Sequence, residues 1–129
     1  DTEINFSEID HINAHGTSTP LGDVVESKAI RELFQDSADN IYVSSTKSMT
    51  GHLLGAAGAI ESIFSVLAIK DKVIPPTINL NNPDNEAKLK LVANNSIEEK
   101  VSFVMNNTFG FGGTNVSLIF KKFEWKFFL

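Results

Sequence analysis

The spacing of apolar and polar residues divides the chain into elements of two kinds. Ile9-Asp10-His11-Ile12-Asn13-Ala14 predicts a short strand, which ends in the polar turn His15-Gly16-Thr17-Ser18-Thr19-Pro20. Thr19 suits a helix N-cap and Pro20 the first helical position. The helix predicted from there runs to about Phe34, with Val25, Ala29, Ile30, Leu33 and Phe34 on one apolar stripe. Gln35 to Asn40 reads as a loop, and Ile41-Tyr42-Val43-Ser44-Ser45 as a second, β-branched strand.

The next element differs in kind. From Gly55 to Ile69 nearly every residue is apolar or small, and only Glu61 is charged. A helix apolar on all sides predicts burial within a larger body. Pro75-Pro76 stops it and sets an extended segment, Thr77-Ile78-Asn79-Leu80, before a polar loop from Asn81 to Lys90. Val101–Asn106 and Val116–Phe120 predict strands on either side of Thr108-Phe109-Gly110-Phe111-Gly112-Gly113-Thr114. The order β-α-β-α-β-β predicts a layered α/β domain with a mixed sheet. Residues 1–122 form the expected domain, and 123–129 an aromatic tail, frayed or docked.

Composition narrows the function classes. The 129 residues suit one domain, and 42% hydrophobic with 21% charged residues fits a globular chain. No apolar run reaches the length of a membrane span, and Asp1-Thr2-Glu3 does not open a signal peptide. The absence of an initial Met leads us to expect a fragment or a processed chain. The net charge of −5 is uneven: residues 1–40 hold nine acids and two bases, residues 41–129 seven acids and nine bases. That balance argues against nucleic-acid binding. Ten Lys against one Arg, with twelve Asn, points to an AT-rich coding sequence. With no cysteine, the chain carries no disulfide, thiolate metal site or cysteine nucleophile.

Three polar clusters fall at predicted strand ends, where open α/β sheets place their sites: His15–Pro20, Lys47-Ser48-Met49-Thr50-Gly51-His52, and the Gly/Phe turn at 109–113. Each alone has a plain reading, as a structural histidine, a solvated lysine or a hairpin turn. His11 and His15 have the four-residue spacing of a helical metal pair. Their segment reads as a strand entering a turn, with no glutamate following and no cysteine to assist, so no metal site is expected. The turn at 108–114 lacks a Gly-Lys-Ser/Thr ending and is not a phosphate loop.

Together the clusters are more specific. Asn13–Asp23, NAHGTSTPLGD, resembles the first histidine motif of the β-ketoacyl-acyl carrier protein synthases. Ser44–Gly58, SSTKSMTGHLLGAAG, is similar to their lysine and second histidine motif. Ile74–Leu80, IPPTINL, and Asn107–Asn115, NTFGFGGTN, match in the same order. The resemblance covers nearly all of residues 4–122 and is nearest the synthase II, long-chain type.

This resemblance implies the thiolase fold, two similar α/β halves in five layers and usually a homodimer, of which the chain looks like most of the C-terminal half. It implies a decarboxylative Claisen condensation between an acyl thioester and malonyl-acyl carrier protein. No cofactor is implied, since substrates ride on the phosphopantetheine of acyl carrier protein. His15 and His52 match the histidines that hydrogen-bond the enolate oxygen. Lys47 matches the lysine beside them, and Glu61 its helix carboxylate. The Phe111 backbone N–H matches an oxyanion donor, its ring gates the acyl pocket, and Phe109 lies beside it. Gly110, Gly112 and Gly113 shape that turn, while Thr17 and Thr19 match hydroxyls on the pantetheine arm. The nucleophilic cysteine belongs to the other half. Three readings follow: part of a split or longer synthase, a non-catalytic partner resembling chain-length-factor subunits, or an inactive truncated product. Expected partners are acyl carrier protein and the cysteine-bearing half or a homologous subunit, with no nucleic acid or membrane. The expected compartment is a bacterial cytoplasm or a plastid stroma.

Overall fold

The computed structural model describes residues 3–124, so most of the predicted 123–129 tail lies outside the described residues. In chain order the elements are β1 (His11–Asn13), α1 (Pro20–Phe34), β2 (Tyr42–Ser44), α2 (Lys47–Thr50), α3 (Ala57–Asp71), β3 (Val73–Ile74), β4 (Lys90–Leu91), β5 (Ile97–Glu98), β6 (Phe103–Phe109) and β7 (Asn115–Lys121). Five strands form one sheet in the order β4-β2-β1-β6-β7. The first four are parallel, and β7 turns back antiparallel on β6. A two-stranded antiparallel pair, β3-β5, stands apart. The predicted mixed sheet is therefore present. The two-residue strands β3, β4 and β5 went unread because they are too short to show a period. Of the expected extended segment 77–80, only Thr77 makes a bridge, to Ala93.

The two sheet faces are chemically unlike. Toward α1, Ile12, Val43 and Phe103 pack with Ile30, Phe34, Ile9 and Leu89 in an apolar core. Burying each of the large side chains contributes roughly 1.5–3 kcal/mol. The other face, which α3 covers by packing on β6, carries a band of buried polar side chains. There His11 Nε2 pairs with Ser44 Oγ at 3.0 Å, and Asn13 Nδ2 donates to Thr46 Oγ1 at 3.1 Å. A smaller apolar cluster of Ile74, Val92, Val101 and Val104 completes that side.

Both long helices are oriented differently from the sequence expectation. The buried stripe of α1 is Glu26, Ile30 and Phe34, whereas Val25, Ala29 and Leu33 are exposed. The helix is rolled so that the Glu26 carboxylate reaches two backbone N–H groups beyond its N-terminus. Thr19 takes the N-cap position in extended geometry, but its side chain makes no capping hydrogen bond. The apolar helix predicted over 55–69 begins two residues later, after a 3-10 turn at Leu54–Ala56. It is not buried all round. Ala57, Glu61, Ser65 and Ala68 face the sheet, while Ile63, Val66 and Leu67 face outward. Within this chain α3 therefore turns its polar side inward, where Lys47 of α2 meets the Glu61 carboxylate and the Ser65 hydroxyl donates to the Glu61 carbonyl at 2.8 Å.

Candidate active site

The parallel strands β1, β2 and β6 all point their C-terminal ends to one rim, and the candidate residues gather there. Beyond β1 the chain turns through His15 and Gly16. Gly16 has φ +33°, and a Cβ on it would lie 2.7 Å from the Ser45 Cβ, so a side chain would be both strained and obstructed there. Ser45 fastens this turn by donating from Oγ to the Gly16 carbonyl at 2.9 Å. Glu26 fastens it from the other side: its carboxylate accepts the His15 and Gly16 N–H groups at 2.8 Å each.

The His15 ring is fixed by β6. The Phe109 N–H donates to His15 Nδ1 at 3.2 Å. A backbone amide can only donate, so Nδ1 must carry the lone pair and Nε2 the proton. His52 follows the same logic locally, for its Nδ1 accepts the Leu54 N–H at 3.2 Å. The two imidazoles stand edge to face, ring centroids 5.4 Å apart at 87°. The Phe109 ring lies 5.3 Å from His15 on another side. Partial burial, then the charge of Lys47 and then His52, lowers the His15 pKa to about 4, so its ring is neutral at pH 7.

Lys47 opens α2, the one-turn helix after β2, and is buried. Its Nζ lies 2.5 Å from Glu61 Oε1 of α3. The one buried acid of α3 thus meets the one buried lysine among the described residues. Burial pushes the Glu61 carboxyl up, and the Lys47 contact pulls it back toward ionisation. The pair is not saturated: Glu61 Oε2 has no hydrogen-bond partner among the described residues, and Nζ has none at hydrogen-bonding geometry.

The Gly/Phe segment is the tip of the β6–β7 hairpin, and Phe111–Gly113 form a 3-10 turn. Gly112 and Gly113 have φ of +75° and +82°, the left-handed region that this reversal requires. Gly110 is extended; its place is set by the N–H it donates to the Thr114 carbonyl at 3.0 Å. The Phe111 ring is 99% exposed. Thr17 and Thr19 lie at the mouth of the site with their hydroxyls 3.5 Å apart. An open cavity of about 630 Å³ passes Thr17, Thr19, Lys47, Ser48 and His52.

The structure thus brings His15, His52, Lys47, Glu61 and Phe109 into one cluster, with Thr17, Thr19 and the hairpin tip around it. His11 is separate, completely buried against Ser44, so it does not join His15 as a pair. No group of three or more His, Cys, Asp or Glu among the described residues is placed to hold a metal ion. Sequence reasoning overlooked Glu26, Asn107 and Ser117. An acid on the same helical stripe as Ile30 and Phe34 was the available signal for Glu26. Asn107 opens the motif at 107–115, which draws attention to its glycines and Phe111 instead, and Ser117 carries no signal.

The chain is similar to known proteins along nearly its whole length. Residues 1–81 match the family described as beta-ketoacyl synthase, C-terminal domain. The chain is 55% identical over 122 residues to the 3-oxoacyl-[acyl-carrier-protein] synthase 2 of Coxiella burnetii, covering 95% of this chain and 30% of that protein. It is 52% identical over 124 residues to the enzyme of the same name from Staphylococcus aureus, covering 96% of this chain and 30% of that one. Among solved structures, a beta-ketoacyl synthase from Burkholderia phymatum superposes with a TM-score of 0.86 at 37% identity, over 95% of this chain and 29% of that one. A type II polyketide-synthase acyl-carrier protein in complex with its ketosynthase gives 0.90 at 35%, over 95% and 30%. The chain therefore spans about 30% of the length of the relatives it matches. On the order of its motifs, the topology of its sheet and these similarities, the chain belongs to the β-ketoacyl synthase family and carries its C-terminal domain.

Proposed function

We propose that this chain supplies the decarboxylation machinery of a 3-oxoacyl-[acyl-carrier-protein] synthase that extends fatty acyl chains. One observation carries the reading: two imidazoles lie 5.4 Å apart, each with Nδ1 occupied by a backbone N–H and Nε2–H left to donate. When malonyl thioester loses carbon dioxide, the C–C electron pair moves onto the thioester oxygen as an enolate. His15 and His52 hydrogen-bond that oxygen through Nε2–H. Preorganised donors of this kind contribute roughly 10²–10³ in rate each. The enolate carbon then attacks an acyl thioester on a cysteine carried outside this chain. The oxyanion so formed takes the Phe111 N–H and the cysteine's own N–H, and the thiolate leaves. The product is a 3-oxoacyl chain longer by two carbons.

The remaining residues support these steps. Lys47, held by Glu61, places a positive charge that disfavours protonation of His15 and keeps its ring a neutral donor. Thr17 and Thr19 receive the pantetheine arm, and the Phe111 ring covers the acyl pocket. No bound cofactor takes part. Acyl carrier protein and the cysteine-bearing polypeptide are the partners, the complete enzyme is a homodimer, and it works in the bacterial cytoplasm or plastid stroma. Residues 1–122 form the domain that does this. No described helix is long and apolar enough to cross a membrane.

The test is reconstitution. The chain is combined with a polypeptide that completes the length of its relatives and brings the cysteine. Carbon dioxide release from malonyl-acyl carrier protein and formation of the 3-oxoacyl product are then measured. Both are expected, and a folded complex showing neither would end this reading.

A further inference from the structure

Strand β6 reaches the His15 turn by two routes, one direct and one through Glu26 of α1. Phe109 holds the ring by its N–H. Two residues earlier, Asn107 Nδ2 donates at 3.1 Å to Glu26 Oε1, the same oxygen that accepts the His15 N–H. A carboxylate only accepts, so the amide must turn its Nδ2 toward Glu26, and its Oδ1 is left facing β7. There the Ser117 hydroxyl donates to Oδ1 at 2.8 Å. Asn107 and Ser117 are direct partners in the β6–β7 register, so the link crosses the hairpin. Asn107 and Glu26 are both buried. A continuous chain of hydrogen bonds thus runs from Ser117 through Asn107 to the Glu26 carboxylate, which also accepts the His15 and Gly16 N–H groups.

We propose that Asn107, oriented by Ser117 on the opposite strand, is a positioning residue that holds His15 in the Nε2–H tautomer. The physical reason is shared geometry. The Phe109-to-His15 bond survives only while the His15 turn keeps its distance from β6. The turn's own tie, Glu26, belongs to α1, and only the Asn107 amide fastens that carboxylate to β6. Without the amide, the turn keeps Glu26 and the β1–β6 ladder, which ends at the Asn13–Asn106 pair, but its anchor loses the link to the strand carrying Phe109. Nδ1 then loses its donor at little cost, and the proton is free to occupy either nitrogen. The hairpin ends in the exposed Phe111 turn, so the same link ties its tip to the proton position on His15. The inference rests on the reading of His15 as an Nε2–H donor only for its catalytic meaning; the tautomer itself is observable without activity.

The experiment is long-range proton–nitrogen NMR of the histidine side chains at pH 7. It is made on the full chain, or on its complex with the cysteine-bearing polypeptide. The three histidines give six nitrogen signals. His15 and His52 are both expected as Nε2–H in the parent protein. Asn107→Ala should raise the ratio of Nδ1–H to Nε2–H at His15 at least about fivefold, as for loss of one ordinary hydrogen bond. Ser117→Ala should shift it the same way by a smaller factor. His52, whose donor is Leu54, should not move and serves as the internal control. An unchanged His15 ratio in folded Asn107→Ala protein overturns the proposal, as does a change shared equally by His52. Ser117 lies at an exposed strand position, so should Asn107→Ala fail to fold, Ser117→Ala decides by the same two criteria. Loss of decarboxylation with the tautomer intact would count against the donor role of His15 and leave the role of Asn107 standing.

Discussion

Phe109 and His15, 94 residues apart in the chain, are joined by one bond of 3.2 Å, and that bond decides which ring nitrogen carries the proton. The backbone of a strand thereby sets the chemistry of a side chain on a distant turn. His52 reaches the same state from Leu54, two residues away.

In the assembled synthase, His15→Ala and His52→Ala should each lower decarboxylation of malonyl-acyl carrier protein by about 10²–10³. Acyl transfer to the cysteine should fall far less. Carbon dioxide release and acyl-enzyme formation, measured separately, distinguish the two. A decarboxylation rate within about threefold of the parent for either variant removes that histidine from the mechanism.

The Lys47–Glu61 pair is buried on both sides, with side-chain exposures of 4% and 1%. Glu61→Gln or Lys47→Met strands the opposite charge and should cost about 3–5 kcal/mol in urea unfolding. The double variant Lys47→Met/Glu61→Leu should cost less than the sum of the two single changes. Strict additivity would show that the two groups do not interact.

Acid should destabilise the fold through His11. Burial lowers its folded-state pKa to about 3, below the usual value of 6.5. Its contribution is complete above pH 6.5 and is lost progressively as pH falls toward 3. Between pH 7 and pH 5 the expected loss is about 2 kcal/mol. His15, also lowered, adds a smaller effect of the same sign because it is only half-buried. Glu61, raised by burial, acts the opposite way, in a window that lies above the ordinary carboxyl value. Urea unfolding across this window should therefore show a slope that His11→Phe flattens. An equal slope in that variant would place the proton uptake elsewhere.

The outward face of α3 carries Ile63, Val66 and Leu67, exposed by 58%, 48% and 38%. Contiguous apolar surface of this sort is rare on a free monomer. The chain alone should bind a hydrophobic dye or self-associate, and the polypeptide that completes the enzyme should suppress both. Val66→Lys should reduce dye binding and weaken that assembly. A monodisperse, dye-free monomer would show the face to be covered in some other way.

The layered α/β class, the two long helices, the central strands and four motifs in order were legible because they depend on local spacing and residue type. Family membership follows from them, and with it the expectation that Lys47 and Glu61 meet. The helix orientations were not legible. Periodicity shows which side of a helix is apolar, but burial depends on what lies opposite. For α3 that is Lys47, which meets Glu61, and Asn106 of β6, which donates to the Gly58 carbonyl and the Ser62 hydroxyl, so the polar stripe of the helix turned inward. For α1 it is the pair of N–H groups that Glu26 satisfies, which displaced Val25 and Leu33 to the surface.

The sequence by itself determined which groups are available: two histidines, a lysine, one acid in an apolar helix and a glycine-rich hairpin. Only the tertiary structure decided their states. The proton position on His15 depends on Phe109, and the anchoring of its turn depends on Glu26 and Asn107. These are hydrogen bonds between groups far apart in the chain. Their formation reflects strand order and helix roll, which no local pattern of residues encodes.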